Sequence, residues 1–327
     1  MGSTPDGLDV VYTWVDDAAP GYSGLLERYA RTAVDTDPAR TRDNLDMLRY
    51  SLRSLQHYVP WVRDVYLVTQ RPQAPSWLDT STVRIVHHDE IMPEDHLPTF
   101  SSFAIVSNLH RIPGISRRFV YVEDDCFFAA PLAPSALLDG ATDRAIVHMG
   151  FGGTPSAQRS DDARLSPWNL GLAWSNHLLD ERYGPTPRRM VRHAPIIIDV
   201  KHWQQMETVW PTELERTSAA RFRGPHTVAV NHHYPHYLLH EGLAVEIGGV
   251  ESWHKSPYNC LGNLPLLERL KLAVLDCHRP QFFCMNDNFG PAPDLRVVSM
   301  IRRWLQRRFP WPSRFERADP DGSAGSP

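Results

Sequence analysis

The chain has 327 residues, 42% hydrophobic and 22% charged, an ordinary composition for a globular protein with a sizeable core. Its formal net charge of −4 excludes a global basic field that would draw nucleic acid. The four cysteines (Cys126, Cys260, Cys277 and Cys284) form no CxxC pair, which excludes a zinc ribbon or thioredoxin-like motif and fits a reducing compartment.

Met1 to Gly7 lacks the basic and apolar regions of a signal peptide, and no stretch approaches the roughly 20 apolar residues of a membrane span. The cytoplasm is therefore the expected location, with at most peripheral membrane contact. Leu8 to Val15 predicts a strand that ends in Asp16 and Asp17. Thr41 to Tyr58 predicts a helix, because Leu45, Leu48, Leu52 and Leu55 step by three and four along one face. Thr41 or Asp43 would cap it, and Pro60 would stop it. Val65 to Thr69 and Val83 to His87 predict short buried strands. Phe103 to Arg111 predicts a helix ended by Pro113 and Gly114. Phe119 to Val122 predicts a strand that runs into Glu123, Asp124 and Asp125.

Strands that alternate with helices argue for an α/β fold with a mostly parallel sheet. Ligands of such sheets bind beyond the carboxyl ends of the strands, where both acidic clusters fall. The stretch from about 150 to 225 reads as helices and loops forming a lid or acceptor wall. Residues 226 to 290 return to mixed structure. Val297 to Phe309 predicts an arginine-rich amphipathic helix, and Ala318 to Pro327 a polar, disordered tail.

Several motifs offer chemistry, each beside a plainer reading. VEDDCFF, Val122 to Phe128, sets hard oxygen ligands for Mg²⁺ or Mn²⁺ past a strand, or simply makes a solvated turn. TWVDD, Thr13 to Asp17, places Trp14 to pack a base, or is a core tryptophan with a capping acid. Arg49 and Arg53 share a helix face and suit a pyrophosphate, or make surface ion pairs. His193 in RHAP can take a proton from a hydroxyl, or is a packed histidine. His232, His236 and His240 have metal-ligand spacing, but Pro235 is expected to break that helix or force it to start there, and no HExxH is present. CMNDNFG, Cys284 to Gly290, carries Asp287 and Asn288 in what is also an ordinary turn sequence. Arg296, Arg302, Arg303, Arg307 and Arg308 suit an anionic polymer or a membrane face, or belong to a helix packed by Val298, Ile301 and Leu305.

Four ordered blocks resemble the Stealth family of sugar-1-phosphate transferases. They are DVVYTWVDD (Asp9 to Asp17), Arg42 to Leu78 with its continuation Leu97 to Phe128, the RHAP and FRG segments, and CMNDNFG followed by RFPWPSRFE. The resemblance implies a glycosyltransferase-A-like fold, a UDP-sugar donor, a carbohydrate acceptor and attack at the β-phosphorus. It implies a Mg²⁺ or Mn²⁺ centre built on Asp125 and Asp287, with Asp124 and Asn288 beside them. His193, Asp16 and Arg223 match the family's catalytic positions. Trp14, Asp43, Asn44, Arg49, Arg53 and Arg111 lie in its donor-binding blocks. Residues 1–316 then form one catalytic domain: a nucleotide-sugar half at 8–130, the 150–225 region, and 226–316 completing the site, before a tail at 317–327. The sequence departs from the family at Glu123, usually Asn, at Asp17, usually Gly, and at Val106, usually Glu.

A rival reading keeps the fold but uses Glu123 and Asp125 as a DxD-like metal site for ordinary glycosyl transfer, releasing UDP rather than UMP. A non-catalytic glycan- or phosphate-binding module is a third. The sugar, the acceptor and any homo-oligomer are left open by the sequence.

Overall fold

A computed structural model describes residues 7–32 and 43–318. The first half carries strands β1 (Asp9–Thr13), β2 (Val65–Thr69), β3 (Arg84–His87), β4 (Arg118–Glu123) and β5 (Cys126–Phe128). Between them lie helices α1 (Tyr22–Tyr29), α2 (Met47–Tyr58), α3 (His88–Ile91) and α4 (Ser102–Val106). The middle carries β6 (Ala145–Gly153), α5 (Pro167–Tyr183), β7 (Arg189–Val191), β8 (Ile196–Asp199), α6 (Val200–Val209) and α7 (Pro211–Ser218). The last third carries α8 (Val230–His240), β9 (Ala244–Ile247), α9 (Gly249–Lys255), β10 (Tyr258–Cys260), α10 (Pro265–His278), β11 (Phe282–Asn286) and α11 (Leu295–Arg308).

The main sheet runs β3-β2-β1-β4-β8. Its first four strands are parallel, and β8 closes the edge antiparallel to β4. Every residue of β2 is buried, as in a parallel sheet covered on both faces. The α/β class with a mostly parallel sheet flanked by helices is therefore the one that forms. The stretch expected to supply only helices and loops contributes this edge strand too, from the apolar run Ile196–Ile198. Register decides where the site lies. Thr13 pairs with Val68 on one side and Glu123 on the other, so β1 and β4 end level.

Three expectations are corrected. The helix predicted from Thr41 begins at Met47, because Asp46 adopts φ 57°, a left-handed conformation that cannot continue a helix backwards. Thr41 lies outside the described residues; Asp43 does act at this end, accepting from the backbone N–H groups of Leu45 (3.0 Å) and Met47 (3.0 Å). The helix predicted over Phe103 to Arg111 is split into α4 and a 3₁₀ turn at Leu109–Arg111. Helix α8 runs through Pro235 rather than breaking there. The expected tail lies outside the described residues, apart from 317 and 318.

A second sheet, β10-β11-β5, is stapled to the first behind the site. Helix α2 braces it: Ser54 Oγ accepts from Phe128 N (3.0 Å), and Ser51 Oγ donates to the Cys126 carbonyl. Phe127 stacks on Phe283 with ring centroids 4.9 Å apart, in a core shared with Ile301, Trp304 and Leu305 of α11. On the other flank α5 packs closely on α4. A Cβ on Gly171 would stand 2.6 Å from Phe103 Cε2, so only glycine allows the approach that carries Trp168 to the site.

Candidate active site

A cleft of about 510 Å³ opens beyond the carboxyl ends of β1 and β4, within the range of small-molecule sites. Trp14, Glu123, Asp124, Asp125, Trp168, His193, Arg223, Asp287 and Asn288 all line it. The acids of two distant segments meet because Met285 N donates to the Asp125 carbonyl (3.0 Å), tying the end of β4 to β11. The four residues expected to form a metal centre thus share one cleft.

On one wall His193 Nδ1 is held by a Glu123 carboxylate oxygen. The other Glu123 oxygen accepts from Asn231 Nδ2 (2.8 Å), so both are engaged. His193 is flanked by the rings of Trp168 (6.1 Å) and Tyr258 (5.0 Å). Burial alone would lower its pKa, but the Glu123 carboxylate overrides burial and pushes it up to about 9. Burial likewise opposes ionisation of Glu123, and the His193 charge reverses this, holding Glu123 below the usual carboxylate range.

The cleft beside this pair is acidic. Burial, then the charges of Asp125, Asp43 and Glu123, push Asp124 well up. Burial and then Glu123 raise Asp125. The buried Asp125 Oδ1 has no hydrogen-bond partner. Asp287 is fixed by Asn44, whose Nδ2 donates to its Oδ2 (2.8 Å). Asp43, pushed up to about 6 by burial, stands within electrostatic reach of both Asp124 and Asp287. Crowded, partly desolvated carboxylates with an orphaned oxygen are what a hard divalent cation would neutralise, so this donor set fits Mg²⁺ or Mn²⁺. The tightest donor groups among the described residues join Asp125 to Glu123 and Cys126, or to His193 and Cys284, all within 4.8 Å; neither contains Asp124 or Asp287. The aspartate oxygens suit a hard cation better than these groups do, because thiols suit softer metals and both Glu123 oxygens are already hydrogen-bonded.

Arg223 lies between the rings of Phe103 (5.1 Å) and Trp168 (5.2 Å), and its Nη2 donates to Ser102 Oγ (2.5 Å). Its charge lowers the pKa of both Glu123 and His193, which places it close to that pair.

Four residues sit elsewhere than expected. Arg53 donates through Nε and Nη2 to Glu316 (2.7 Å each) and through Nη1 to the Phe309 carbonyl (2.9 Å). Arg49 donates to the same carboxylate (2.5 Å). Both arginines therefore lock α2 to the segment after α11 and do not line the cleft. Arg111 faces Glu207 (3.5 Å). Asp16 does not line the cleft either; its Oδ1 accepts from Ala18 N (2.9 Å) within its own turn. The spaced histidines of α8 are engaged separately, His232 Nε2 with Asn176 Oδ1 and His236 Nε2 with the Arg189 carbonyl (3.0 Å each).

Sequence reasoning missed Glu123, Asn231, Trp168 and Tyr258 as parts of the His193 environment. Only Glu123 carried a signal, as the acid where the family usually has Asn.

Three conserved regions of the Stealth family match in order: Stealth protein CR2, conserved region 2, over residues 40–145, CR3 over 192–240 and CR4 over 274–324. The chain belongs to the Stealth family. His193 and Arg223 fall in its third region and Asp287 in its fourth. Relatives of this Stealth chain include an exopolysaccharide phosphotransferase of Streptomyces coelicolor, 34% identical over 95% of the chain and 53% of the relative. The exopolysaccharide phosphotransferase CpsY of Mycobacterium tuberculosis is 30% identical over 97% of the chain and 59% of the relative. The Stealth chain thus spans a little over half the length of these curated relatives. Among solved structures, the galactosyltransferase LgtC aligns at TM-score 0.44 and 10% identity, over 96% of this chain and 98% of its own. The bifunctional glycosyltransferase WbbM aligns at 0.49 and 9%, over 94% and 50%. Similarities this loose leave the fold to be described by its own sheets.

Proposed function

We propose that this Stealth chain moves a hexose 1-phosphate, GlcNAc 1-phosphate first among candidates, from a UDP-sugar to a carbohydrate hydroxyl in capsular or exopolysaccharide synthesis. The observation that carries the reading is the Glu123–His193 pair lining the same cleft as Asp124, Asp125 and Asp287. The curated relatives named exopolysaccharide phosphotransferases support it.

Asp125, Asp124 and Asp287 would hold Mg²⁺ or Mn²⁺, with Asn288 at the rim. Such an ion supplies charge neutralisation for the diphosphate and its leaving group. Trp14 lines the floor where a base would stack. Glu123 holds Nδ1 of His193 and keeps the ring largely protonated at neutral pH, so Nε2 takes the proton of the acceptor hydroxyl from the neutral fraction, which grows as pH rises toward about 9, and the carboxylate stabilises the imidazolium so formed. The acceptor oxygen bonds to the β-phosphorus as the bond from that phosphorus to the bridging oxygen breaks, and UMP departs. Arg223 steadies the non-bridging oxygens, the positioning and electrostatic work on which phosphoryl transfer depends. Asn44 and Asp43 act one step back, through Asp287.

Incubation with UDP-GlcNAc, Mg²⁺ and an oligosaccharide acceptor, followed by separation of nucleotides, tests this. UMP with a sugar–phosphate–sugar diester is expected. UDP would instead favour attack at the anomeric carbon.

A further inference from the structure

Helix α10 is apolar on its outer face as well as its inner one. Its buried residues are Glu268, Leu272 and Leu275, whereas its solvent face is a run of apolar side chains. Leu266 is 82% exposed, Leu270 62% and Val274 45%, with Leu267 beside them. At 100° per residue, Leu266, Leu270, Ala273 and Cys277 fall within a narrow arc opposite Glu268, and Val274 and Leu267 extend that arc on one side. The loop residue before the helix, Leu264, is exposed as well. A continuous apolar helix face in water is a binding surface rather than scattered exposure.

The neighbouring features select the occupant. Helix α11 packs beside α10, with Trp304 Nε1 (3.0 Å) and Arg308 Nη1 (3.3 Å) both donating to Asp276. Where the two helices meet, Tyr58, Trp304, Arg279, Arg307 and Arg308 line an open cleft of about 580 Å³. Asp276, its one acid, is already neutralised by Arg308. Arg269, Arg279, Arg303 and Arg307 make no ion pair or side-chain hydrogen bond among the described residues, and Arg303 and Arg307 are exposed. The other acids nearby are matched: Asp294 by Arg296 (2.8 Å) and Glu251 by Lys255 (2.8 Å). Two exposed tryptophans flank the surface, Trp253 against His278 at the end of α10 and Trp311 against His57.

An apolar face, unmatched arginines and edge tryptophans together describe a helix lying in a lipid headgroup layer. At 14 residues α10 is too short to span a bilayer, and no helix among the described residues is long and apolar enough to do so. A second copy of this chain would bring Arg303 and Arg307 against arginines, whereas anionic headgroups complement them. We propose that the α10–α11 face docks this protein onto an anionic phospholipid surface, with Leu266, Leu270 and Val274 entering the acyl boundary and Arg279, Arg303 and Arg307 meeting phosphates. Arg302 Nε also donates to the carbonyl of Asn44 (2.9 Å), the residue that fixes Asp287, so the docking face lies one residue from the reaction cleft.

The test is sedimentation of the full chain with vesicles of phosphatidylcholine alone or with 30 mol% phosphatidylglycerol. Binding to the anionic vesicles, weakened by raised salt, is expected. Arg279→Ala/Arg307→Ala should weaken it on the order of thirtyfold, about one kcal/mol per arginine. Leu270→Glu/Val274→Glu should abolish it while leaving the circular-dichroism melt unchanged, since both side chains are in water. Transfer to a soluble acceptor should be unaffected in either variant. Failure to bind anionic vesicles, or equal binding to both kinds, overturns the proposal. So does a dimer in light scattering that Leu270→Glu dissolves, because the face would then belong to a second copy. Since vesicle binding is read without turnover, failure of the phosphotransfer reading leaves this test intact.

Discussion

One half-buried histidine and two buried ones behave oppositely. His193 is pushed up to about 9, while His233 falls to about 3 and His236 to about 4. Burial lowers all three and is the largest influence on each. What differs is the partner. His193 has the Glu123 carboxylate, whereas His233 and His236 have none. Burial alone keeps a histidine neutral; one carboxylate keeps it charged through neutral pH.

Breaking the charged member should have the largest effect if the proposed chemistry holds. His193→Ala is expected to lower kcat about 10²- to 10⁴-fold without changing the melting curve, measured by UMP release. The Arg53–Glu316 pair offers a charged, buried pair with no chemistry attached, its side chains only 9% and 3% exposed. Arg53→Met should therefore cost about 3–5 kcal/mol in urea unfolding while kcat of the folded fraction stays within about twofold. A loss of rate without a loss of stability would return Arg53 to the donor site. Glu123→Gln keeps a hydrogen bond but removes the charge. It should lower kcat about 10- to 100-fold, and in metal-free protein the His193 ring should titrate below about 9 by NMR.

The neutral set should yield the smallest and most pH-dependent change. His148, His233 and His236 stay uncharged when folded, at about 4, 3 and 4, yet take protons below about 6.5 once unfolded. The unfolded state then binds more protons, so their contribution is complete above about pH 6.5 and drains away as pH falls toward 4. His233→Leu should cost no more than about 1 kcal/mol at pH 7, because neither ring nitrogen has a partner to lose. It should also lessen the fall in urea stability between pH 7 and pH 5. An unchanged fall would locate the acid sensitivity elsewhere.

Local signals carried the sequence reading a long way. Strand β2 was legible to the residue, and β1 and β4 within two, since runs such as VYLVT and FVYV have no helical alternative. The Glu123–Asp125 turn was legible as lining a cleft because parallel sheets open toward ligands at that edge, whereas Asp16 and Asp17 do not line it. The interruption at Asp46 was not, because a left-handed residue inside a leucine periodicity leaves no trace in the pattern. Arg49 and Arg53 misled for a related reason: their shared face was correct, but Glu316, more than 260 positions away, decided what they touch. The same distance problem hid the Glu123–His193 pair. Its elements meet only because β8 joins the sheet beside β4, and three isoleucines after a proline do not announce an edge strand.

The single backbone bond from Met285 to the Asp125 carbonyl has a bearing on synthesis. A nascent chain displays Asp124 and Asp125 long before the ribosome has made β11. Until that strand docks, the Glu123–Asp125 turn lacks both its brace and Asp287, so the cleft proposed as the reaction site is completed only by the last third of the described fold. A polypeptide halted short of residue 282 would carry all five strands of the main sheet and yet lack the Asn286, Asp287 and Asn288 lining of that cleft.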